Sequence, residues 1–79
     1  MEQGQTSLSR ATGTVRWFDS AKGHGLVTRD AGGSDCFLHE SSVRPEDLRF
    51  MEEGTRIAFE VLEGLGGPLS VNVRRLAAD

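Results

Sequence analysis

The sequence predicts an all-β domain, a small closed or nearly closed barrel of five short strands. Three observations predict it. Short runs rich in β-branched and aromatic residues are separated by glycine-containing turns. The clearest run, Thr55 to Leu62, alternates Ile57, Phe59 and Val61 with Arg56, Ala58 and Glu60, the period-two pattern of a half-buried strand. No segment carries apolar residues at helical spacing. Closure suits a chain of 79 residues, because it removes the exposed sheet edges that a domain of thin stability margin protects poorly.

The elements follow in order. Residues 1–10 are polar, without periodicity, and are expected to form a disordered tail, leaving 11–79 as one domain. The first strand is Thr12 to Phe18. The second, His24 to Thr28, is reached through a Lys22-Gly23 turn. The third, Asp35 to Glu40, follows Gly32-Gly33-Ser34. Between Ser41 and Glu53 a central strand is excluded, since Pro45 lacks the N–H that a ladder needs. A long loop with at most one 3₁₀ turn is expected, Pro45 taking its first helical position. Glu46, Asp47, Glu52 and Glu53 read as its solvated face. After the fourth strand, Gly64 to Pro68 form a turn. The fifth strand, Leu69 to Leu76, is expected to turn Leu69, Val71 and Val73 one way and Ser70, Asn72 and Arg74 the other. The core should hold Val15, Val27, Cys36, Leu38, Ile57, Phe59, Val61, Val71 and Val73.

Composition narrows the function. A single cysteine, Cys36, excludes an internal disulfide, and no spaced cysteines or histidines suggest a metal site. No cofactor is expected. A reducing compartment, the cytoplasm, is the simplest location, and no apolar run approaches the roughly 18–20 residues that span a membrane. No catalytic residue is expected either. There is no phosphate loop and no nucleophile in a strand–turn context, and His39 and Glu40, as strand neighbours, should point to opposite faces. The balance of 9 basic and 12 acidic residues gives a net charge of −3, unusual for a binder of polyanions. Eight of the nine basic residues are Arg, and Lys22 is the sole Lys.

The stretch Gly13-Thr-Val-Arg-Trp-Phe-Asp-Ser-Ala-Lys-Gly-His-Gly-Leu-Val-Thr nevertheless resembles the opening motif of the cold-shock domain family. Asp35-Cys-Phe-Leu-His-Glu resembles that family's second ribonucleoprotein motif, and residues 12–76 lie on the family pattern without a gap. The resemblance implies a five-stranded antiparallel barrel of the oligonucleotide-binding (OB) type and a monomer whose partner is single-stranded RNA or DNA. It implies no enzymatic activity. Bases would stack on side-chain rings while basic groups follow the backbone.

The candidate binding residues are Arg16, Trp17, Phe18, Lys22, His24, Leu26, Phe37 and His39. Trp17 matches a stacking position, although a core Trp is the plain alternative. Phe18, its strand neighbour, should face elsewhere unless the strand bulges. Phe37 and His39 share one face of the third strand, opposite Cys36 and Leu38. Lys22 and Arg16 are candidates for phosphate. Gly23 and Gly25 would shape the site rather than touch a ligand.

The departures from the pattern are as informative. His24 and Leu26 stand where the family commonly has Phe, Glu40 replaces a Phe, Asp19 replaces an Asn, Leu48 replaces a loop aromatic, and Gly66 replaces a Lys. Losing two stacking platforms would cost roughly 2–6 kcal/mol, and added carboxylates repel phosphates. Weaker binding than in a typical family member is therefore expected, with micromolar affinity or poorer. His24, if it lies by phosphates, would make binding strengthen as pH falls. The alternative is a protein-interaction module with a transcription-related partner. It would use an apolar patch of Trp17, Leu26, Phe37 and Leu48 rimmed by Arg16, Asp19 and Glu40.

Overall fold

A computed structural model describes residues 8–77. Five strands form a closed barrel in the order β1-β2-β3-β5-β4. They are β1 (Leu8–Asp19), β2 (His24–Arg29), β3 (Cys36–His39), β4 (Arg56–Gly64) and β5 (Gly67–Arg75). The ladders are antiparallel, apart from the seam that closes the barrel. There β3 meets β5 in parallel, with Phe37 opposite Leu69. β1 is long enough to serve two neighbours. Its first half pairs with β4, from Leu8 opposite Leu62 to Thr14 opposite Arg56, and its second half pairs with β2.

The strand therefore starts earlier than its composition suggests. Leu8, Ser9 and Arg10 belong to β1 and pair with Leu62, Val61 and Glu60, so the expected tail of residues 1–10 is strand from Leu8 onward. Its first seven residues lie outside the described ones. The loop after β3 likewise carries two 3₁₀ segments, Glu40–Ser42 and Pro45–Phe50, where at most one was expected. Pro45 takes the first position of the second, as expected.

Val15, Val27, Cys36, Leu38, Ile57, Phe59, Val61 and Val73 form the core, joined by Val43 and Met51. Val71 is only half-buried, and Ser70 is buried in its place. The cause is a bulge. Asn72 adopts a left-handed φ of 52°, and the β4–β5 register slips between Ala58 and Glu60. Strict alternation fails there, and two inward positions, Ser70 and Val73, come to lie three residues apart. Among the described residues the Ser70 hydroxyl has the Cys36 thiol, a weak partner, beside it and no hydrogen bond of ordinary geometry.

Charge also enters the frame. Asp47, expected on a solvated face, is buried. Its Oδ2 accepts from the Arg75 backbone N–H at 2.9 Å and from Arg44 Nε and Nη2 at 3.1 and 2.9 Å. The Arg75 N–H above all, with Arg44, holds this carboxyl below its usual range. At the opposite edge Arg56 grips both Asp30 oxygens at 2.7 Å, and Thr12 donates to Asp30 Oδ2 at 2.7 Å. The Arg56 and Thr12 hydrogen bonds lower the Asp30 pKa to about 2. Among the described residues, no helix is long and apolar enough to cross a membrane.

Candidate nucleic-acid interface

Residues directly opposite each other on neighbouring strands share a face, so the register assigns the outer surface of β1–β2–β3. Trp17 lies opposite Leu26, and Leu26 opposite Phe37. One residue along, Phe18, Gly25 and Leu38 make an inward row. The next row, Asp19, His24 and His39, faces out again.

A bulge makes this arrangement possible. Between Val15 and Trp17 the β1–β2 register shifts, Arg16 being the additional residue. Val15 can then point into the core while both Arg16 and Trp17 stay exposed. The motif expects Trp17 on the binding surface, with a core Trp as the alternative. The structure leaves it 42 % exposed, with Phe37 at 40 %. Phe18, a candidate binding residue, goes the other way. It is half-buried and packs against the core from within, because the bulge precedes it and normal alternation resumes. Gly25 lies opposite it with no room for a side chain: a Cβ there would lie 2.2 Å from the Trp17 carbonyl oxygen and 2.9 Å from the Phe18 Cα.

The rings form a connected set. His24 sits diagonally between the two exposed aromatics. Its centroid is 5.7 Å from that of Trp17 in an edge-on arrangement and 5.9 Å from that of Phe37 at a 43° tilt, within the range in which aromatic pairs attract. Leu26 is half-buried among them. His39 is exposed, and its orientation is fixed by its own loop. Nδ1 accepts the Ser41 backbone N–H at 3.1 Å and lies 2.8 Å from the Ser41 hydroxyl. With Nδ1 engaged by Ser41, Nε2 is the ring nitrogen left for a ligand.

The charged residues around the platform divide in two. Arg16 is ion-paired with Asp35, a partner the sequence reading did not assign, since 19 residues separate them. Lys22 is exposed at the turn between β1 and β2 and has no ion-pair partner among the described residues. Asp19 builds that turn: its Oδ1 accepts the backbone N–H groups of Ala21 and Lys22 at 3.0 and 3.1 Å. This Asx geometry is what an Asp or Asn at the head of a turn signals. Leu48, counted in the alternative apolar patch, leans on the core instead. Cys36 is fully buried and its thiol is pushed up by burial, which keeps it in the unreactive form. No group of three or more potential metal ligands occurs among the described residues.

A closed five-stranded barrel with linked rings on the outer face of three strands is a barrel of the oligonucleotide-binding type. The family is narrower. The model of the 'Cold-shock' DNA-binding domain matches residues 11–76, and the chain belongs to the cold-shock domain family. It is 46 % identical over 66 residues to the cold shock-like protein CspA of Stigmatella aurantiaca, covering 84 % of this chain and 97 % of that protein. It is 42 % identical over 65 residues to the cold shock protein CspV of Vibrio cholerae, covering 82 % and 93 %. It is also 47 % identical over 63 residues to glycine-rich protein 2 of Nicotiana sylvestris, covering 80 % of this chain and 29 % of that protein.

Proposed function

We propose that this protein binds single-stranded RNA or DNA across β1–β2–β3 as a monomer in the cytoplasm, serving as an RNA chaperone or a transcription-linked factor. The observation that carries the reading is the linked set Trp17, His24 and Phe37, two of them exposed aromatics. Bases stack on Trp17 and Phe37. His24 and Leu26 fill the space between as weaker platforms, and His39 offers its Nε2 to the ligand. Lys22 follows the backbone. Stacking accepts every base, so sequence specificity is low overall. Affinity is below that of family members with a full set of rings, because each missing platform removes roughly 1–3 kcal/mol.

Titration of Trp17 fluorescence with short oligo-dT and oligo-U, at low and at physiological salt, tests the reading. Saturable quenching that weakens with salt is expected. A folded protein whose emission ignores near-millimolar ligand would refute it. One observation favours a protein partner instead. Beyond Phe37 the outward row continues through Leu69, Leu62 and Leu8, so apolar side chains run around the whole barrel. A complex on that band would be insensitive to salt, and its loss in a Leu62→Asp variant would mark it.

A further inference from the structure

Glu40 stands where the cold-shock pattern has an aromatic residue, and the structure holds it in place. Its backbone N–H donates to the Gly23 carbonyl at 2.8 Å. Its side chain crosses the β1–β2 turn: a Cβ on Gly23 would lie 2.6 Å from the Glu40 Cδ and 2.7 Å from Oε2. Gly23, at a left-handed φ of 74°, thus makes the turn and leaves space for the carboxylate. The residue after Gly23 is His24, between the two aromatics, and the residue before Glu40 is the outward-facing His39. The carboxylate therefore lies over the β1–β2 turn, and Glu40 and Gly23 are next in sequence to the two histidines of the outward row. It is exposed and has no ion-pair partner among the described residues.

An ionised carboxylate only accepts hydrogen bonds. It repels phosphates but discriminates among base edges. Guanine presents N1–H and the N2 amine side by side, a two-donor edge that fits two carboxylate oxygens. Adenine and cytosine each offer one exocyclic amine. Thymine and uracil offer a single N–H between two carbonyl oxygens, which face a carboxylate unfavourably. We infer that Glu40 is a base-selecting residue, and that it turns an otherwise tolerant face toward single strands carrying a guanine. The inference rests on the reading of β1–β2–β3 as a single-strand site. Charge-assisted paired hydrogen bonds are the strong ones, and one good bidentate pair discriminates by about tenfold or more.

The test uses the intact protein and Trp17 fluorescence. The ligands are a thymidine heptamer, the same heptamer with a central guanine, and the same with a central hypoxanthine, which lacks the N2 amine. The guanine heptamer is expected to bind about tenfold more tightly than the thymidine heptamer, with hypoxanthine falling most of the way back. Glu40→Gln is expected to bind the thymidine heptamer more tightly than the parent does, and to separate guanine from thymine by about twofold at most. Equal affinities for the three ligands, or a guanine preference that survives in Glu40→Gln, would overturn the assignment while leaving the site standing. Binding of no heptamer would overturn both. The hypoxanthine comparison needs no variant, so it decides the matter even where Glu40→Gln lowers stability.

Discussion

Away from the ring face, at two separate places on the frame, charges are matched. Asp30 takes both Arg56 amines and the Thr12 hydroxyl, and Asp47 takes Arg44 and the Arg75 N–H. Across the ring face of β1–β2–β3 the pattern differs. There Lys22 and Glu40 are exposed and unmatched among the described residues, and Trp17 and Phe37 leave much of their surface in solvent. The first region uses polar groups to hold strands that short ladders hold poorly. The second leaves apolar and charged groups unsatisfied in a chain too small to spare them for stability. Groups left open in this way are the ones a ligand can satisfy. The two regions should accordingly fail in different assays.

The largest expected effect is on the open face. Trp17→Ala combined with Phe37→Ala should weaken single-strand binding by roughly 30-fold to 10⁴-fold, the loss of two stacks at about 1–3 kcal/mol each. Thermal stability should hardly move, because neither ring fills the core. Fluorescence anisotropy of a labelled oligonucleotide, read beside a melting curve, checks both halves. A large fall in melting temperature would mean that the rings hold the barrel together and that the contrast between the regions is false.

The matched region should show the reverse. Asp47→Ala removes a buried acceptor and leaves the Arg75 N–H and the Arg44 guanidinium without it, so the melting temperature should fall while the affinity of the folded protein stays unchanged. Acid provides the same test without a mutation. Asp30 and Asp47 have depressed carboxyl pKa values in the folded state, so they stabilise it fully above the ordinary carboxylate range. That stability is lost as pH falls through the folded value, about 2 for Asp30. Melting temperature should therefore decline from about pH 4 toward pH 2. An Asp30→Asn, Asp47→Asn double variant should show a shallower decline. An unchanged acid limb in that variant would remove these two carboxylates from the account.

The expected barrel, its five strands and most of its core were legible because burial on one side writes a period of two into a strand. The misses share a cause. Leu8 to Arg10 extend β1 without the alternation of a core strand, so only their distant partners Leu62 to Glu60 reveal them. The bulge at Asn72 breaks the period inside β5, and it moved Ser70 inward and Val71 outward. Asp47 read as solvent-facing because its partner, the Arg75 N–H, lies 28 residues away and is a backbone group without a side-chain signature. At the candidate site, the motif pointed to Trp17, His24, Phe37 and His39, and the register puts these four on one outer face. The orientation of Phe18 depended on the bulge at Arg16. Long-range pairing and single-residue register slips are properties of the assembled sheet, and local pattern does not carry them.

Ser70 is a smaller test of that β5 register. Its hydroxyl is buried with only the weakly bonding Cys36 thiol beside it among the described residues, and an unpaired buried hydroxyl costs roughly 1–3 kcal/mol. Ser70→Ala gives back part of that and leaves only a small void. A stability gain of about 1 kcal/mol in urea unfolding is expected. A loss would mean that the hydroxyl is bonded, and that the bulge does not strand it.

The smallest effect concerns Arg16, which belongs to both regions. By position it borders the ring face beside Trp17, but by chemistry it is matched, since Asp35 holds it. An exposed pair of this kind is worth about 0–1 kcal/mol, so it can be opened at little cost to the fold. Asp35→Asn removes the competing charge and leaves the guanidinium available to a phosphate. Single-strand affinity should rise by about twofold to fivefold at low salt, and the slope of log affinity against log salt should steepen by about 0.7, the release from one further phosphate contact. Arg16→Ala in the parent protein should change both quantities by less, because there the charge is already neutralised. Suppose instead that Arg16→Ala weakens binding as much as Asp35→Asn strengthens it. The pair would then open on its own when a strand arrives, and the boundary between matched and unmatched charge would be set by the ligand rather than by the fold.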